Sequence, residues 1–150
     1  MKAKYVHTNL IAENWKKLAG FYTKVFGCTF VSPERDYKGL SLDAATALKD
    51  AHLTGAHFRL PGYDENGPTL EIFNYNMLES RSKTVVNRPG YGHIAFEVED
   101  VNKARRTVEE HGGSVIGEVV THTINTGAKV TWCYVTDPEG NIIELQSWEK

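Results

Sequence analysis

Between residues 15 and 26 the apolar residues Trp15, Leu18, Ala19, Tyr22, Val25 and Phe26 recur at helical spacing. Steps of three and four place them on one stripe of a helix. Asn14 stands where its side chain can accept a first-turn N–H, and Gly27 where the chain can leave the helix. The pattern predicts a helix between those two residues, with strand-like runs on either side. Residues 92–117, "GHIAFEVEDVNKARRTVEEHGGSVIG", repeat the arrangement. A short strand leads to Asp100 as cap; Val101, Ala104 and Val108 form the stripe, and Gly112-Gly113 stops it. His7 to Asn14 and His93 to Asp100 are both 7 residues, and His7 to Gly27 and His93 to Gly113 are both 20. Histidine, cap and terminal glycine thus recur at one offset of 86, which argues for duplication.

Each half then continues into strands. In the first, residues 51–62 and 68–76 read as strands on either side of the turn-rich "GYDENGP". In the second, residues 128–136 and 140–148 flank "DPEG". Each half therefore reads β-α-β-β-β. Residues 32–50 have no clear counterpart, and "LDAATALKD" within them reads as a short helix with Asp43 as its cap. Residues 78–90 form a connector between module one, about 4–77, and module two, about 91–150, of a single domain spanning 1–150.

Alternation along the strands sorts side chains by face. Ile94, Phe96 and Val98 point one way, against the helix, and His93, Ala95 and Glu97 the other. His7 shares a face with Tyr5, Asn9 and Ile11. Glu71 shares one with Thr69, Phe73 and Tyr75, and Glu144 with Ile142, Gln146 and Trp148. Each half so offers a histidine from its first strand and a glutamate from its last. A carboxylate among large apolar neighbours is costly without a partner. Two carboxylates and two imidazoles sharing one divalent cation would make a neutral set. The plainer alternative for each histidine taken singly is a packed or exposed strand residue; the repeat is what favours a four-ligand site. His52, His57, His111 and His122 stand outside the repeat and read as surface or turn residues.

Composition narrows the setting. The chain has 150 residues, 41% hydrophobic and 24% charged, enough to bury a core without disulfides. A net charge of -2 and a pI near 6.3 give no basic patch for nucleic acid or a membrane surface. The opening "MKAKYVHTNL" has no long apolar run, so neither a signal peptide nor a spanning helix is expected. Cys28 and Cys133 form no C-x-x-C pair and read as buried small hydrophobes in a reducing compartment, with the cytoplasm as the default.

The segments "VHTNLIAENWKKLAGFYTKVFGC", "TLEIFNY", "GYGHIAFEVEDV" and "VTDPEGNIIELQSW" resemble, in that order, the vicinal oxygen chelate superfamily, the glyoxalase I-like family that also holds bleomycin-resistance proteins and dioxygenases. The resemblance implies an α+β fold in which two paired βαβββ modules form a cupped, incomplete barrel around a metal site. It places the metal ligands at His7, Glu71, His93 and Glu144, a set most like bacterial-type glyoxalase I. It implies a homodimer, and it gives the proton-transfer role to Glu144, with Glu71 second. Methylmalonyl-CoA epimerase commonly has Gln at the position of Glu71. Three departures stand out: residues 36–68 are longer and more distinctive than expected of a short glyoxalase I, and two positions differ. Glyoxalase I usually carries an Arg at the position of Ile11 and an Asn at that of Tyr75.

Nitrogen and oxygen donors without a thiolate suit one divalent ion, Ni, Co, Zn, Mn or Fe. A small-molecule substrate with adjacent oxygens could be chelated, its carbonyl polarised, and a proton moved at the next carbon by a nearby carboxylate. The leading expectation is a metal-dependent glyoxalase I-like lyase or isomerase. The alternatives are a methylmalonyl-CoA-epimerase-like enzyme and a non-catalytic, drug-resistance-type small-molecule binder, for which Phe73, Tyr75, Trp132 and Trp148 speak. Arg81, Lys83 and Arg88 in the connector read as solvated charges.

Overall fold

A computed structural model describes residues 1–149. The chain divides into two compact units, one of residues 1–81 and a second beginning at Ser82. Unit one runs β1 (His7–Ile11), α1 (Trp15–Phe26), β2 (Thr29–Lys38), α2 (Leu40–Thr46), β3 (His52–Arg59) and β4 (Thr69–Tyr75). Unit two runs β5 (Ile94–Glu97), α3 (Val101–Glu110), β6 (Ser114–Thr123), β7 (Lys129–Thr136) and β8 (Ile142–Glu149). This is the α+β class with paired βαβββ modules that the sequence pattern leads one to expect, α2 being an addition to the first.

Each unit has an open four-stranded sheet, ordered β1-β4-β3-β2 in one and β5-β8-β7-β6 in the other. The first strand lies parallel to the last, and the remaining pairs are antiparallel. A register shift falls between Val31 and Arg35 in β2, and a matching one between Ile116 and Val120 in β6. The duplication therefore extends to an irregularity that hydrophobic patterning does not reveal.

The helices form where the caps stand. The Asn14 side chain accepts the Lys17 N–H at 3.0 Å and that of Asp100 the Lys103 N–H at 3.0 Å. Gly27, at φ 73°, closes α1 in the left-handed region, its N–H donating to Thr23 O. In unit two the left-handed turn falls at Gly112, φ 89°, just beyond the C-cap His111. Gly113 is needed for a different reason: a Cβ there would lie 2.3 Å from Thr136 O. Each helix covers one face of its sheet. In unit one Leu18, Tyr22, Leu70 and Ile72 are buried together with Phe58. In unit two Val101, Val108, Val135, Ile143 and Leu145 are buried. Full burial of such side chains stabilises by about 1.5–3 kcal/mol each, so it is the helix-side face that holds each sheet in place and leaves the opposite face available.

The short helix begins earlier than expected, with Gly39 rather than Asp43 at its N-cap. Asp43 lies within the first turns, and its carboxylate reaches forward, accepting the Asp50 N–H at 3.0 Å and the Ala51 N–H at 2.9 Å. It ties α2 to the start of β3 instead of starting the helix. Residues 29–38, of which only the first part reads as strand in the sequence, form one long strand.

Candidate functional site

The side of each sheet away from its helix carries the chemistry. In unit one, Glu71 of β4 sits between Asn9 of β1 and His57 of β3 as register neighbours. His7 Nδ1 approaches Glu71 Oε1 at 3.4 Å, and His57 Nε2 approaches the same oxygen at 3.1 Å. Asn9 Nδ2 donates to Glu71 Oε2 at 3.4 Å. Glu71 is buried while the His7 side chain is 42% exposed, so the carboxylate forms the floor of the cluster and the imidazole its rim. The two imidazoles meet edge-on, with centroids 6.2 Å apart and planes at 84°. Burial pulls the His57 pKa down; the Glu71 charge opposes this, and Arg35 and His7 add to the lowering.

In unit two, Glu144 of β8 sits between Ala95 of β5 and Tyr134 of β7. His93, one residue before β5, brings Nε2 to 3.2 Å from Glu144 Oε2. The Tyr134 ring lies 5.1 Å from that of His93. Burial raises the Tyr134 pKa, and the charge of Glu144 together with a side-chain hydrogen bond to it raises it further. Trp132 stands edge-on to Tyr134 at 5.1 Å, and His122 of β6 stacks on Trp132 at 6.1 Å with planes 27° apart. An aromatic file therefore runs across unit two to its His–Glu pair.

Each His–Glu pair singled out in the sequence comes together within its own unit. Among the described residues, no three His, Cys, Asp or Glu side chains stand grouped as a ready metal site. The donor chemistry nevertheless fits a divalent ion. Neighbouring donors on a cation with bonds of about 2.1 Å are about 3 Å apart, and the nitrogen–oxygen separations of 3.4 and 3.2 Å are close to this. Imidazole and carboxylate without thiolate suit first-row divalent metals.

His57 corrects the sequence reading. It is neither a surface nor a turn residue, but a half-buried strand residue facing Glu71, because β3 folds back on β4 with Arg59 opposite Thr69. The sequence holds no local signal for this, since the pairing is fixed only by the register of the two strands. His122 is exposed, as expected of a surface residue, and stands on strand β6. His52 opens β3 and pairs with Asp36 at 2.8 Å. His111 caps α3, its ring nitrogen 2.8 Å from Thr107 O.

An α+β chain of two βαβββ units, each with a His–Glu pair on the sheet face opposite its helix, defines a recognisable class. The chain belongs to the Glyoxalase/Bleomycin resistance protein/Dioxygenase superfamily, whose pattern matches residues 4–145. Among curated relatives, the glyoxalase domain-containing protein RDO1 of Mycosarcoma maydis is 33% identical over 72 residues, 47% of this chain and 40% of that protein. The match thus spans less than half of the relative's length. A glyoxalase family protein from Bacillus cereus aligns over 100% of this chain and 95% of its own, with TM-score 0.77 and 18% identity. A glyoxalase I variant from Zea mays aligns over 95% of this chain and 45% of its own, with TM-score 0.63 and 19% identity. The fosfomycin resistance protein FosX from Listeria monocytogenes, solved with Mn(II) and sulfate, aligns over 98% and 92%, with TM-score 0.57 and 17% identity. At these identities the structural likeness concerns the fold. Among the described residues no helix is long and apolar enough to cross a membrane.

Proposed function

We propose that this chain is a metal-dependent enzyme of the glyoxalase I type, moving a proton at a carbon beside a carbonyl of a small substrate with adjacent oxygens. The observation that carries the reading is the equivalent pairing of His7 with Glu71 and of His93 with Glu144 on matching strands of the two units. These four residues would hold one divalent ion, Ni, Co, Zn, Mn or Fe, with both units acting as one domain. The ion, when bound, supplies Lewis acidity that polarises the carbonyl. Glu144 takes the proton from carbon and returns it; Glu71 is the second carboxylate. Their strands are held from the helix side by buried Ile72, Ile143 and Leu145, so the carboxylates are presented on a stiff support.

Metal analysis of the purified chain, beside its His93→Ala variant, tests the ligand set. About one ion per chain is expected in the first and markedly less in the second; equal content in both removes the assignment. Exchange of substrate carbon-bound protons with solvent deuterium, across hemithioacetals and acyl thioesters, tests the chemistry. The open sheet edges at β1, β2, β5 and β6 support a homodimer, which light scattering would detect. The cytoplasm is the compartment that suits two free thiols.

A second reading has its own support. The file of His122, Trp132 and Tyr134 offers flat surfaces to an aromatic ligand, and a protein that bound such ligands without metal or turnover would be a sequestering module instead.

A further inference from the structure

Glu71 and Glu144 occupy equivalent places but are held unequally. Both oxygens of Glu71 are engaged, Oε1 by His57 at 3.1 Å and His7 at 3.4 Å, and Oε2 by Asn9 at 3.4 Å. In unit two the register place of Asn9 is taken by Ala95, which has no side-chain donor, and that of His57 by Tyr134. Glu144 so meets His93 at 3.2 Å and the phenol of Tyr134. The two partners also differ in stiffness. The His57 ring is wedged edge-on against Phe73, 5.8 Å away at 83°, and against His7. Its N–H direction is set by the whole ring, with the proton assigned to Nε2 because its partner is an acceptor. A phenol O–H swings about its C–O bond and can follow a carboxylate that moves. The Glu144 side chain is also the more exposed of the two, 19% against 11%.

We propose that Asn9 and His57 form a clamp that fixes Glu71 as the permanent carboxylate ligand, and that the lack of such a clamp in unit two leaves Glu144 free to release and take a proton. The inference rests on the metal reading above. Asn9 and His57 are positioning residues, acting on the metal through Glu71. Losing a hydrogen-bond partner of a metal ligand weakens metal binding by about 10–100-fold.

The test uses the full chain loaded with Co(II), whose affinity is read by competition with a chromophoric chelator and whose ligands are read from paramagnetically shifted imidazole N–H signals. Asn9→Ala with His57→Tyr gives unit one the pair of residues found in unit two, and affinity is expected to fall about 10–100-fold. His57→Leu should lose most of this by itself. His57→Gln, which restores an N–H donor, should recover much of it, with the imidazole signals of the bound form unchanged in number. Asn9→Ala alone, on the exposed edge strand β1, should cost several-fold and keeps the test open if a His57 variant fails to fold. Wild-type affinity in both Asn9→Ala and His57→Leu overturns the clamp. Equal losses in His57→Gln and His57→Leu, with one imidazole signal gone, make His57 a ligand and also overturn it. A wild-type chain that takes up no Co(II) overturns the metal reading itself, an outcome separate from the other two.

Discussion

Unit one and unit two have the same frame and different linings. Capped helix, parallel first and last strands, an irregularity within the second strand and a His–Glu pair recur in both. Around Glu71 the neighbours are an amide and two imidazoles, one of which, His57, feels the charge of Arg35. Around Glu144 they are a methyl group, an imidazole, a phenol and, two residues earlier on β7, an indole. The difference lies almost wholly in side chains of the strands flanking the glutamate. On the proposed function, a duplicated fold of this kind gives its two halves separate tasks, one to hold and one to react.

The carboxylates themselves give the largest test of that division. Glu144→Gln keeps an oxygen donor and removes the base, so turnover or solvent exchange should fall by about 10²–10⁴-fold with metal partly retained. Glu71→Gln should instead lower metal content, with less loss of rate per bound ion. Deuterium exchange by NMR beside metal analysis separates the two, and the reverse result would exchange the roles of the units.

The paired glycines come next. Gly113→Ala drives a Cβ to 2.3 Å from Thr136 O and 2.4 Å from Val108 Cγ1, overpacking that costs about 1–3 kcal/mol. At Gly27 a Cβ meets nothing within 4 Å, and only its φ of 73° opposes substitution. Gly27→Ala should therefore cost about 1–2 kcal/mol. Urea unfolding of both variants measures the gap; equal costs would mean that the two glycines do the same job.

The smallest effects should be the most alike. Asn14→Ala and Asp100→Ala each remove the side-chain acceptor from a helix N-terminus and should each cost about 1 kcal/mol, measured by the same unfolding curves. A marked inequality would show that the frame itself, and not only its lining, has diverged.

Much of this frame was legible in the sequence because it is written locally. A stripe of apolar residues, an Asn or Asp before it and a glycine after it are read within one helix. The His–Glu pairs were legible because strand alternation places them on the face away from the helix. The surroundings of Glu71 were not, because Asn9 and His57 are neighbours only through register. Whether His57 faces Glu71 depends on which residue of the 60–68 turn lies at its centre, and a one-residue slip would exchange it for Phe58 or Ala56. The repeat drew attention to histidines at matched positions, and so away from one whose counterpart is Tyr134. Asp43 departs from its sequence pattern for a similar reason. The sequence shows a capping residue, but not that its carboxylate turns forward to Asp50 and Ala51.

Each unit also carries its own concealed reporter. Cys28 lies in unit one and Cys133 in unit two, both free and almost fully buried. Burial pushes the Cys28 thiol from 9.0 up to about 12 and raises that of Cys133 as well. In the folded chain Cys28 stays protonated and unreactive across the range where an exposed thiol ionises. The unfolded chain releases that proton first, so this residue's contribution to stability is lost as pH rises from 9.0 towards about 12. At neutral pH a thiol reagent can label each cysteine only when its surroundings open, and mass spectrometry of the two peptides would time those openings separately. Matching rates would mean that the halves come apart as one cooperative body. Unequal rates would reveal which half opens first.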